Sequence, residues 1–219
     1  SVDDTARDVL DIQFSAGLRV VAVATRPAAG ASEVHASDEH DLELLGFLVF
    51  LDLPKESAAA SIARLAELGI GLKVVTGDNP RVAATMCTSI GIEVHNTLTG
   101  PELDALDDNQ LQAAVGDTTV FARVSPAQKA RVVEAQRSAG SAVAFLGDGV
   151  NDALAIHHAD VGISVDSATD VAKDAADIIL LERDLGVVAD GVEEGRRIFA
   201  NTIKYVLMGT SSNFGNMFS

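Results

Sequence analysis

Residues 142–152 read AVAFLGDGVND, and this stretch decides the fold. An apolar run that ends directly in a Gly-rich acidic loop is the signature of a buried strand whose carboxyl end opens into a ligand crevice. Asp148 and Asp152 are hard oxygen ligands suited to magnesium, the glycines let backbone approach a phosphate, and Asn151 offers an amide donor. The plainer reading, a polar turn with capping aspartates, explains fewer of these groups at once.

Outward from this loop the same design recurs. LKVVTGDNP at 72–80 is a strand followed by a turn, in which the Thr76 hydroxyl and the amides around Gly77 can hold phosphate oxygens. Asp78 also suits simple capping, so this turn gains its force from the neighbouring loops. Asn79 and Pro80 read as the cap and first turn of a helix that stops at Gly91. TVFARV at 119–124 precedes Ser125 and Pro126, which open a helix running through Arg137 to Gly140. Lys129 lies in its first turn, where an ammonium can neutralise phosphoryl oxygens.

GFLVFLD at 46–52 predicts a buried strand, and Ile62, Leu65 and Leu68 recur at helical spacing until Gly69. VGISV and DIIL continue the alternation of strand and helix, which in compact domains means parallel strands joined by helical crossovers. Two stretches stand outside it. Residues 1–42 hold a strand-like LRVVAVAT and a polar connection suited to a neighbouring domain, and a long helix runs from near Asp184 through Tyr205.

Composition narrows the function. Hydrophobic residues make up 47% and charged residues 22% of the 219, a globular balance. The net charge of −16 repels a phosphate backbone over most of the surface, which argues against nucleic acid as a partner. Cys87 is the sole cysteine; no internal disulfide can form, and a buried packing role is expected. No secretory leader and no uninterrupted apolar run of membrane-spanning length is present, so hydropathy alone predicts a soluble chain. His157 and His158 are adjacent on a predicted helix, point in different directions and receive no metal role.

Taken in order, LDLPK (51–55), VVTGDNP, SPAQK (125–129) and GDGVNDALAI (147–156), followed by ATDVAKDAADIILLERDL (168–185), resemble the P-type cation-transporting ATPases, most closely the bacterial magnesium-transporting branch. The resemblance implies a haloacid-dehalogenase-like α/β fold, a parallel sheet with helices on both faces followed by a long stalk helix. It divides the chain into the end of a nucleotide-binding domain (1–42), the main part of a phosphorylation domain (43–183), and the stalk and start of a fifth membrane helix (184–219).

Carried over residue by residue, the resemblance implies that Asp148 ligates the catalytic magnesium with support from Asp152. It gives Asn151 a phosphoryl contact and Lys129 the balancing charge. Thr76, Gly77 and Asp78 would line the phosphate and magnesium pocket, Arg19 would approach ATP phosphates, and Asp52 and Lys55 match a hinge segment in which Leu53 replaces a proline. Asn213 and Asn216, three apart in SSNFGN, match positions that bind the transported cation; helix packing is the competing role.

The function so implied is ATP-driven transport of a divalent cation, magnesium preferred over calcium or another ion, by a multi-pass protein of the cell membrane. Its aspartyl-phosphate nucleophile, expected in a DKTGT segment, occurs nowhere in these residues, so the chain reads as a fragment that is inactive alone. A soluble phosphatase of the same fold and a noncatalytic phosphate- or magnesium-binding module are the alternatives.

Overall fold

The computed structural model describes residues 4–27, 35, 39–51 and 55–217; at residues 4, 56 and 212–216 it describes backbone alone. Its centre is a set of parallel strands in two groups. Strands β3 (Val74–Val75), β4 (Thr97–Thr99) and β5 (Val120–Ala122) form one sheet in the order β3-β5-β4. Strands β6 (Ala144–Leu146), β7 (Val161–Val165) and β8 (Ile178–Leu180) form another in the order β6-β7-β8, and every neighbouring pair in both is parallel.

Parallel strands are covered on both faces, and β5 shows it: Val120, Phe121 and Ala122 are fully buried. On one face Phe121 packs with Leu103, Leu111, Val115, Val124 and Val132 from helices α4 (Gly100–Ala105), α5 (Asp108–Val115) and α6 (Pro126–Ser138) and the loop before α6. On the other, Val120 and Ala122 pack against Ala83 and Cys87 of helix α3 (Pro80–Ser89). The expected packing role of Cys87 is therefore met, and burial pushes its thiol pKa up. The Phe145 cluster lies between β6, α6, helix α7 (Ala153–His158) and helix α8 (Asp170–Asp174), and Val75 touches both this cluster and that of Phe121.

Phe121→Ala would empty the centre of the first cluster, and a loss of about 3–5 kcal/mol in folding free energy is expected. Urea unfolding of the chain should show a lower midpoint at unchanged slope. A loss under about 1 kcal/mol would mean that the cluster collapses around the gap.

The predicted helix starts follow from side-chain chemistry. Asn79 Oδ1 accepts from the Arg81 amide at 2.9 Å, with Pro80 in the first turn. Ser125 and Gln128 form a reciprocal capping box at the start of α6. Gly91 and Gly140 take the positive φ values, 84° and 90°, that end α3 and α6.

Strand β2 (Glu43–Phe50) corrects the expectation of a buried strand at 46–52. It pairs antiparallel with β1 (Arg19–Thr25), in register from Arg19 opposite Phe50 to Thr25 opposite Glu43. Its side chains are largely exposed, Leu48 and Phe50 each to about half. An apolar run shows that both faces favour cover, and it does not name the strand that will pair with it. Helix α1 (Asp4–Ser15) leads into β1, and its Asp11 meets Arg81 of α3 at 3.0 Å.

The long C-terminal helix is α9 (Leu185–Met217), close to where the sequence placed its start. It is fastened to helix α2 (Glu56–Glu67) by Arg64, which meets Asp190 at 2.6 Å and Glu193 at 2.9 Å, and by Arg196, which donates to the Leu68 carbonyl at 2.7 Å. Among the described residues no helix is long and apolar enough to cross a membrane.

Candidate functional site

Strand β6 delivers Gly147, Asp148 and Gly149 to its carboxyl end, and a single 3-10 turn, Val150–Asp152, folds back over them before α7 begins. Gly147 is required by contact. A Cβ there would lie 2.4 Å from Asp152 Cβ, closer than any side chain tolerates. The loop is tied on both sides, by Ser164 Oγ donating to the Gly147 carbonyl at 2.9 Å and by the Thr169 amide donating to the Asp148 carbonyl at 3.1 Å.

The two aspartates have different surroundings. Asp152 is only 15% exposed; it accepts from Lys129 Nζ at 2.6 Å and from the Gly149 amide at 3.2 Å. Lys129, itself 12% exposed, reaches it from the first turn of α6. Asp148 is 61% exposed, and its one described ion-pair partner is Arg183, whose Nη2 stands 3.4 Å from Oδ2. Asn151 is exposed on the 3-10 turn.

At the end of β3 the Thr76 hydroxyl accepts from the Asp78 amide and donates to Asp78 Oδ2, both at 3.1 Å. The Thr76 and Asp78 carbonyls accept from the amides of Val124 and Arg123, which pins this turn to the end of β5. A Cβ added at Gly77 would meet nothing within 4 Å, so open space lies over that residue. Arg19 Nη2 approaches Asp78 Oδ1 at 3.2 Å and links β1 to the turn.

Both loops face one cavity of about 370 Å³, lined by Thr76, Lys129, Asp148, Asp152 and Arg183 over apolar walls that include Val75 and Leu146. Thus Thr76, Lys129, Asp148 and Asp152 line one cavity. Gly77, Asp78 and Asn151 flank the cavity in sequence without lining it, and Arg19, which pairs with Asp78, does not line it either. Lys55 donates its ammonium to the Arg183 carbonyl at the α2–α9 junction. Asp52 lies outside the described residues, and so do the side chains of Asn213 and Asn216, although their backbone is helical. Arg183 was not singled out from sequence. Its signal was a basic residue between the last strand and the long helix.

The donor set decides what can bind. Among the described residues no group of three or more His, Cys, Asp or Glu is placed to hold a metal by itself. Magnesium does not need one, because it takes one or two carboxylates and completes its shell with water and phosphate oxygens. Asp148, exposed to the cavity and only loosely paired, fits that demand; Asp152 is committed to Lys129 and supports the loop. The cavity also combines two cations with a hydroxyl, a set suited to a phosphoryl group.

Among the described residues the strands leave two edges open beside this cavity. β3 uses the Val74 and Thr76 amides toward β5, at 2.9 and 2.8 Å, so the Val75 backbone faces the other way. β6 uses the Gly147 amide toward β7, at 3.1 Å, so Leu146 faces away from β7 in the same manner.

The chain is 50% identical over 206 residues to the "Magnesium-transporting ATPase, P-type 1" of Salmonella typhimurium strain LT2, covering 93% of the chain and 23% of that protein. It is 47% identical over 212 residues to the protein of the same name in Escherichia coli K12, covering 96% and 24%. The "Probable cation-transporting ATPase F" of Mycobacterium tuberculosis H37Rv is 40% identical over 213 residues, covering 92% and 23%. The chain therefore spans about a quarter of the length of these curated relatives. The family model for haloacid dehalogenase-like hydrolases matches residues 11–160, more than half of the chain, and with parallel strands covered on both faces and an acidic loop at the end of β6 this chain belongs to the haloacid dehalogenase-like hydrolases.

Proposed function

We propose that this chain is the phosphate-handling part of a P-type ATPase that uses ATP to move a divalent cation, magnesium in preference to others, across the cell membrane. One observation carries this reading: among the described residues, a cavity equipped with an open carboxylate, two cations and a hydroxyl lies between two unpaired parallel strand edges, while the nucleophilic aspartate of a DKTGT segment is not in the 219-residue sequence. A single strand entering between Val75 and Leu146 would complete the sheet and bring such an aspartate to the mouth of the cavity. The names of the relatives support the transport reading, and magnesium is favoured because the two relatives named for it share 47–50% identity, against 40% for the one named only for cations.

In the proposed reaction an aspartate on that strand accepts the γ-phosphoryl group of ATP and water later removes it. Lys129 and Thr76 neutralise and hold the phosphoryl oxygens, with the open backbone over Gly77 and the exposed Asn151 as further contacts. Asp152 holds Lys129 in place. Magnesium bound at Asp148 would supply positive charge against that developing on the transferring group. Arg19 and Asp78 join the nucleotide-side strand to the phosphate turn, Lys55 and Asp52 belong to the hinge, and Asn213 and Asn216 offer amide oxygens to the transported ion.

With radiolabelled ATP, the 219-residue chain is expected to form no acid-stable phosphoenzyme, whereas the full-length protein labels at an aspartate. Stoichiometric labelling of an aspartate within this chain would overturn the assignment of the nucleophile to an incoming strand.

A further inference from the structure

We infer that Arg183 is the resident counter-ion of Asp148, a positioning residue that gives way when a divalent cation takes that carboxylate and thereby ties occupancy of the cavity to the root of α9. The inference rests on the reading of Asp148 as a magnesium ligand. Arg183 occupies the short link between β8 and α9. Its guanidinium donates from Nε to Ser167 Oγ, in the turn between β7 and α8, at 2.6 Å and stands 3.4 Å from Asp148 Oδ2 in the loop after β6. Its backbone is held from the other side, where the Lys55 ammonium donates to its carbonyl. The next residue, Asp184, accepts from the Gly186 amide at 2.7 Å and from Ser61 Oγ at 3.4 Å, so the first turn of α9 and helix α2 share one anchor. That Gly186 amide, above all, holds the Asp184 carboxyl below its usual range.

The two ion pairs of the cavity are built for different tasks. Lys129 and Asp152 are close and mostly covered, and breaking such a pair strands a charge away from water. Arg183 and Asp148 are farther apart and more than half exposed, 54% and 61%, and water readily replaces a pair of that kind. A divalent cation on Asp148 places like charge beside the guanidinium, which then loses its partner and gains a repulsion. Its movement away acts on Ser167 and on the link 182–185, the segment from which α9 starts.

Magnesium binding to the 219-residue chain, followed by calorimetry at low ionic strength with manganese and its electron spin resonance as a second probe, tests this directly. Arg183→Gln should tighten binding about two- to fivefold, the change expected from removing one exposed competing charge. In the wild type, saturating magnesium should speed amide exchange at residues 183–187, and in Arg183→Gln it should not. Arg183→Lys, which keeps the charge but lacks the planar fork, should tighten binding less and serves if the glutamine variant does not fold. Asp148→Asn separates the two readings. If it leaves magnesium binding intact, or if the wild type binds none, both fall. If it abolishes binding while Arg183→Gln binds no tighter, or if magnesium leaves exchange at 183–187 unchanged, the inference about Arg183 alone is overturned.

Discussion

Asp148→Asn in the full-length protein is expected to lower phosphoenzyme formation by roughly 10²–10³-fold, the loss typical when one preorganised electrostatic group is removed from a transferring centre. The substitution keeps the size of the side chain and removes its charge, so a metal bound there loses its anionic ligand while the loop keeps its shape. Folding should be little affected, because the Asp148 carboxylate is 61% exposed and its one described ion pair is long. The backbone of the residue is held independently through its carbonyl, which accepts from Thr169. Acid-quenched labelling from radioactive ATP reads the effect, and a urea midpoint checks the fold. Near-normal labelling by a variant of wild-type stability would remove Asp148 from the metal-binding role.

Much of this site is legible in sequence because its parts are local. The run AFLGDGVND contains both the strand and the turn that ends it, and the glycine, the aspartates and the capping residues act within a few positions of one another. The cap at Asn79 and the box at Ser125 and Gln128 are of the same kind. The box of Asp107 with Gln110 at the start of α5, and Glu102 accepting from the Thr99 amide and hydroxyl at the start of α4, are local signals of the same sort. What sequence could not supply was partnership over distance. The pairing of β2 with β1 depends on which edge is free, and the approach of Arg183 to Asp148 spans 35 positions. Lys73 is another such case. Its ammonium donates to the carbonyls of Val115, Gly116 and Thr118, where α5 ends, and burial lowers its pKa, yet in sequence it is one more charge beside a strand.

The last expected result turns on a contact that sequence hinted at only as a glycine. Gly147→Ala should reduce phosphoenzyme formation in the full-length protein by about 10²-fold, even though alanine adds one methyl group and touches neither ATP nor metal. The new Cβ would lie 2.4 Å from Asp152 Cβ and 2.9 Å from its Cγ, and neither atom is the free end of a flexible chain. The 3-10 turn at 150–152 must lift, and Asp152 then leaves both Lys129, now at 2.6 Å, and the Gly149 amide, now at 3.2 Å. Lys129 swings with it, so one methyl group displaces the phosphoryl-neutralising charge as well as the loop that carries Asp148. Overpacking of this kind should also cost about 1–3 kcal/mol of stability. Gly149→Ala provides the internal comparison, since a Cβ there meets Asp152 Oδ2 only at 3.4 Å, an ordinary contact. It should keep most of the phosphorylation that Gly147→Ala loses. Equal activity in the two variants, measured at matched folded fraction, would show that the packing of Asp152 over Gly147 does not set the position of the charges in the cavity.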